Sequence, residues 1–183
     1  MKSSKSLLAA LVLASASFGA STAYAEDISN GPQALAILDN SAYFGDSFAA
    51  NNNGDTFMDR FVFNVTGVPH NLDAIVSSVS RTAATGLDIT AFGLFSEGGS
   101  LITSGSGTSG AQDVWTVSAN NLAEGSYYLM VSGTMLSDTS GSFGGAVMLN
   151  PVPEPETYGM LLAGLGVVGM LARRRQVKAA NQA

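Results

Sequence analysis

The sequence predicts an all-β fold, an antiparallel β-sandwich of jelly-roll type spanning residues 26–150. Three observations lead there. Short runs rich in Val, Ile, Phe, Tyr and Thr alternate apolar with polar residues. Clusters of Gly, Asn, Asp and Ser separate them at turn-like intervals. No stretch between the two termini sustains a 3.6-residue apolar period. A chain of 183 residues holds one ordinary domain plus targeting segments.

Taken in order, Ala34 to Leu38 offers an edge strand. "NNNGDTFMDRFVFNVTGVP", from Asn51, is a polar turn followed by strict alternation and a Gly-Pro stop. Phe57, Phe61, Phe63 and Val65 share one strand face, and Asp59 stands in the same row. An inward carboxylate needs a partner. Backbone N–H groups, Arg60 or Arg81 are the expected ones; calcium is the alternative, although no complete ligand loop is present for the six to eight oxygens it takes. Further strands read as "LDAIVSSVS" from Leu72, "LDITAFGLFS" from Leu87, "DVWTVS" from Asp113, "SYYLMVSGT" from Ser126 and "GSFGGAVMLN" from Gly141. Thr85-Gly86 and Glu124-Gly125 mark turns, and "SEGGSLITSGSGTSG" reads as a flexible hairpin loop. Tyr127, Leu129 and Val131 fall on one face, and Trp115 with Val117 on another inner face.

The chain has no cysteine, which excludes disulfides, thiol catalysis, zinc-thiolate sites and iron–sulfur clusters. Stability must therefore come from a core, which the exported span is long enough to build. Between Glu26 and Val152 stand twelve acidic residues and two arginines, a net charge of −10 that repels nucleic acid and anionic lipid.

Both termini read as targeting segments. Lys2 and Lys5 precede the apolar run Leu7–Leu13, and small residues lead to Ala23-Tyr24-Ala25. Residues 1–25 thus have the form of a secretory signal peptide, translocated by Sec machinery and cut by signal peptidase between Ala25 and Glu26. Near the other end, Pro153-Glu154-Pro155 is followed by the charge-free segment Tyr158–Ala172 and by Arg173, Arg174, Arg175 and Lys178. The prolines favour an extended approach that a processing enzyme can grip. The apolar run is expected to form one transmembrane helix in the inner membrane, short at 15 residues, with the basic cluster and residues 179–183 on the cytoplasmic side.

Residues 151–178 resemble the PEP-CTERM sorting signal of Gram-negative bacteria: triplet, spacer, glycine-bearing apolar run and arginine cluster in order. The resemblance implies processing by exosortase, a membrane-embedded transpeptidase, with Pro153, Glu154, Pro155 and Arg173–Arg175 as recognition elements. It further implies delivery to the cell envelope, outer surface or extracellular matrix, in an exopolysaccharide or biofilm context. Phe57-Met58-Asp59-Arg60-Phe61 resembles the motif of the FxDxF family of these proteins, whose "G-x-Y-Y-L-x-V-x-G" segment corresponds to Gly125–Gly133. The same strands look like bacterial pre-peptidase C-terminal β-sandwich domains, a likeness of fold alone.

Catalytic signals are missing. His70 is the only histidine and follows Pro69 in an expected turn, and no G-x-S-x-G, H-E-x-x-H or phosphate-binding loop occurs. The sequence therefore predicts a non-enzymatic exported protein without catalytic residues, cofactor or metal site. A carbohydrate-binding module, stacking exopolysaccharide on exposed aromatics such as Trp115 or Tyr128, is the alternative, and a hydrolase a remoter one.

Overall fold

The computed structural model describes residues 25–79, 82, 84–110, 112–152 and the helix 155–180. The signal-peptide residues up to Tyr24, including Ala23, lie outside the described residues, as do Arg81, Pro153 and Glu154.

Ten strands form two five-stranded sheets. They are β1 (Gln33–Ala34), β2 (Ser41–Phe48), β3 (Thr56–Val65), β4 (His70–Val79), β5 (Leu87–Ser96), β6 (Leu101–Ser104), β7 (Ser106–Thr108), β8 (Val114–Leu122), β9 (Gly125–Met135) and β10 (Gly141–Pro151). One sheet runs β1-β3-β9-β5-β6 and the other β2-β10-β4-β8-β7. Apart from the parallel β1–β3 contact, every pairing is antiparallel. The pairings β2–β10, β3–β9, β4–β8 and β5–β6 nest one inside the next, which is the jelly-roll arrangement of two Greek keys.

Alternation places Phe57, Phe61, Phe63 and Val65 of β3 in the core, as their spacing predicts. Phe57 lies 4.6 Å from Phe48 and 5.6 Å from Phe143, and Phe61 lies 4.8 Å from Phe44. These centroid distances suit tilted and offset aromatic packing, so the rings of β3 clamp the opposite sheet directly. Tyr127, Leu129 and Val131 share the inner face of β9, with Tyr127 half-buried.

Four readings need correction. Strand β2 was not expected, because Gly45-Asp46-Ser47 breaks its alternation; its entry, however, is a two-residue hairpin turn in which Asp39 and Asn40 both take positive φ and Leu38 and Ser41 exchange backbone hydrogen bonds. The edge strand is Gln33–Ala34 rather than Ala34–Leu38, laid parallel to β3. The segment expected as a flexible loop contains β6 and β7, one in each sheet. Gly105 carries the chain between them, where a Cβ would come within 3 Å of the carbonyl oxygens of Thr116 and Phe92. Finally, the helix α1 spans Pro155–Ala180, so Pro155 opens a helix instead of extending a strand, a position that its fixed φ and missing donor suit.

Candidate functional site

Asp59 is fully buried in the inward row of β3. Its neighbours in that row, Phe57 and Phe61, face Phe48 and Phe44 of β2, so Asp59 is set opposite Asp46, the residue between those two phenylalanines. Two carboxylates thus meet across the open edge of the sandwich, and a strap formed by residues 26–35 closes that edge. The strap is fixed residue by residue. Glu26 N–H donates to Asp55 Oδ1 at 2.8 Å, Ile28 N–H to Thr56 O at 2.9 Å, Asn30 N–H to Asp59 Oδ1 at 2.7 Å, and Leu35 N–H to Val62 O at 2.8 Å. Gln33 Nε2 donates to Asp46 Oδ2 at 2.8 Å, while Ser29 bonds Asp27 and accepts from Met58 N–H.

Of the partners expected for Asp59, backbone N–H supplies one bond, from Asn30. Arg60 supplies none. As the next residue of an alternating strand it faces outward, its guanidinium 5.4 Å from the centre of the Tyr128 ring. Among the described residues Asp59 Oδ2 is buried without a hydrogen-bond partner. Burial raises the Asp59 carboxyl to about 6, against the lowering effect of the Asn30 bond, and the charges of Asp46 and Asp27 push it further up. Among the described residues no three His, Cys, Asp or Glu side chains gather to hold a metal ion.

Sequence reasoning missed a second buried carboxylate. Asp113 accepts from Ser78 Oγ at 2.8 Å and Ile89 N–H at 3.0 Å through Oδ2, and from Gly110 N–H at 3.0 Å through Oδ1. Ser78 N–H returns a bond to Asp113 O. A fully satisfied buried acid of this kind ties β4, β5 and the approach to β8 together, and its only sequence signal is an aspartate directly before an apolar strand.

His70 begins β4 rather than sitting in a turn, and its Nδ1–H donates to Val68 O at 2.7 Å. It borders a polar cavity of about 520 Å³ with Asp39, Asn40, Asn64 and Thr66. Among the described residues no serine lines that cavity. The aromatics expected for sugar stacking are also differently placed. Tyr128 is 8% exposed and stacks on Phe95 with centroids 5.2 Å apart, and Trp115 is half-buried against Gly107. Among the described residues of the sandwich, the aromatic that is largely exposed is Tyr43, at 85%.

The two motif strands are partners. Phe57 pairs with Gly133, Asp59 with Val131, Phe61 with Leu129 and Phe63 with Tyr127, so Phe57–Phe61 and Gly125–Gly133 form a single ladder. Gly133 is required there, because a Cβ would lie 2.5 Å from the Phe57 ring and 2.2 Å from Asp88 O.

The tail begins where β10 ends. Pro151 pairs with His70, and Val152 N–H donates to Pro69 O at 2.8 Å, the last bond before the sorting triplet. The residues on the far side of that triplet are helical through Arg173, Arg174 and Arg175. Arg173, Ala25 and Glu26 are exposed. No helix among the described residues is long and apolar enough to cross a membrane. The cause is legible in α1: its charge-free window, Tyr158–Ala172, rises only roughly 22 Å at 1.5 Å per residue, against about 30 Å of hydrocarbon.

Comparison with known proteins bears on the two parts separately. Residues 151–176 match the family model of the PEP-CTERM protein-sorting motif. No curated protein matches the chain. Among solved structures, the pre-peptidase C-terminal domain of collagenase from Bacillus anthracis is similar, at 18% identity and a TM-score of 0.36, over 69% of this chain and 98% of that one.

Proposed function

We propose, from the premise that this chain carries a PEP-CTERM sorting motif and is an exported, exosortase-processed envelope protein, that it is a non-enzymatic structural component of the exopolysaccharide matrix of a Gram-negative bacterium. The motif at residues 151–176 carries the reading. It stands directly after the last strand of the sandwich, so exosortase cutting at Pro153–Pro155 releases the folded domain whole and leaves α1 and its arginines behind. Until then α1 holds the precursor at the inner membrane; its short apolar window suits a locally thinned or protein-lined site better than open bilayer. A structural role is supported by the use of the buried acids: Asp59 holds the strap and Asp113 joins strands. The strongly negative domain stays soluble and clear of anionic lipid headgroups once released.

Intact mass of the protein recovered from envelope and matrix, in the host and in a strain lacking exosortase, tests this. The expected result is a chain shortened near Pro153–Pro155 in the host alone, fractionating with polysaccharide. Retention of Arg173–Arg175 in both strains would overturn the sorting reading. Correct processing without polysaccharide association would remove the matrix assignment.

A further inference from the structure

We infer that Asp55 is a capture site for the amino-terminal ammonium of the mature chain, so that removal of the leader locks the strap onto the sandwich. This rests on cleavage between Ala25 and Glu26. Two independent features single out the same residue. The small-residue exit Ala23-Tyr24-Ala25 ends just before Glu26, and Glu26 is the first of the described residues that the sheet holds, its carbonyl accepting from Thr56 N–H at 2.9 Å. At that point Glu26 N lies 2.8 Å from Asp55 Oδ1.

The receiving carboxylate is preset. Asp55 N–H donates to Asn52 O and Asp55 O accepts from Met135 N–H, while Gly54, at a φ of 89°, bonds Met135 O. The turn between β2 and β3 therefore holds Asp55 in place whether or not the strap is docked. In the precursor Glu26 N is an amide with one hydrogen and no charge. Hydrolysis of the Ala25–Glu26 bond delivers the hydroxyl of water to the Ala25 carbonyl and a proton to the departing nitrogen. That amine takes up a further proton to become an ammonium at neutral pH. The same 2.8 Å contact then becomes a charge-assisted pair. It also places the one positive charge of the strap among Asp27, Asp55 and the Glu26 side chain. The site is exposed, so the gain is that of a surface ion pair, a few-fold in the opening equilibrium of the strap.

Hydrogen exchange at the Ile28 and Leu35 amides, which bond Thr56 O and Val62 O, reads strap opening directly. The test uses the full mature chain in detergent in three forms: a free amine at Glu26, the same chain acetylated there, and a chain starting one residue earlier at Ala25. Acetylation and the one-residue extension should each raise exchange about three-fold, and neither should do so when Asp55→Asn is present. The extended form keeps its ammonium but displaces it, which separates position from charge. Sequencing the amino terminus of the protein from its host distinguishes the underlying reading. Equal exchange in all three forms, with Glu26 as the natural terminus, overturns the capture site and leaves export intact. A natural terminus other than Glu26 overturns both.

Discussion

Replacing Asp59 by asparagine isolates the energetic effect of a carboxylate that the fold holds in the wrong state. In the unfolded chain an aspartate titrates near about 3.9; in the sandwich Asp59 is pushed up to about 6, chiefly by burial. An acid whose folded value is raised binds its proton more tightly in the native state. Its contribution to stability is therefore fully present below about pH 4, is lost as pH rises toward 6, and stays lost at neutrality. At 1.36 kcal/mol per pH unit the ceiling is about 3 kcal/mol. Only the thin strap separates the group from solvent, and the raising effect is shared with Asp46 and Asp27, so we expect roughly 1–2 kcal/mol. Asparagine keeps an acceptor for Asn30 N–H and turns an amide toward the unpartnered Oδ2 position. Urea unfolding of both proteins at pH 4.5 and 7.5 gives the difference free of the other acids, including Asp88, whose raised value acts in the same direction in both chains. Asp59→Asn should exceed the parent in stability at pH 7.5 and lose that advantage at pH 4.5. An identical difference at both values would refute a native-state carboxylate held above its ordinary range.

Three other outcomes follow from contacts of the same kind. Gly133→Ala puts a methyl group against Asp88 O and the Phe57 ring, and should cost about 2–3 kcal/mol in urea unfolding, with the β3–β9 ladder losing exchange protection first. Asp113→Ala strips the acceptor from Ser78 Oγ and the N–H groups of Ile89 and Gly110; at about 1 kcal/mol or more for each buried donor, a loss of roughly 3 kcal/mol is expected. Tyr43→Ser removes an exposed ring from the outer face of β2 and should leave the unfolding midpoint unchanged, while any polysaccharide retention that depends on that face would fall.

The fold was legible wherever one strand face carries enough apolar residues to be read across a single polar one. Strand β3 announces itself through Phe57, Phe61, Phe63 and Val65, because each position is read independently of its neighbours in the sheet. Strand β2 does not, since Gly45-Asp46-Ser47 breaks its alternation over three successive residues, and only tertiary placement opposite Asp59 explains the carboxylate there. The strands β6 and β7 are hidden for another reason. They are short, exposed edges whose Ser and Gly residues are chosen by ladder geometry and by the crossing at Gly105, with no buried face to impose alternation. Pairing is the least local property of all. That Phe57 meets Gly133 follows from a nested topology linking residues 76 apart, although both motifs stand plainly in the sequence. The tail was legible for the opposite reason: a sorting signal is read by an enzyme as a linear order of residues, before any tertiary contact contributes.

The start of the strap and the sorting tail lie at opposite ends of one strand. The strap runs parallel to β3 from Glu26, which bonds Thr56 at its start, to Leu35, which bonds Val62 near its end. The sorting tail leaves beyond the other end of β3, where Pro151 pairs with His70 just past the turn at Gly67. Ten residues of strand separate the two by about 30 Å. On the proposed processing, removal of the leader would free the amino terminus at the end remote from the tail, and exosortase would cut just beyond the bond from Val152 to Pro69. Cuts at those two places would leave the strand pairings of both sheets intact.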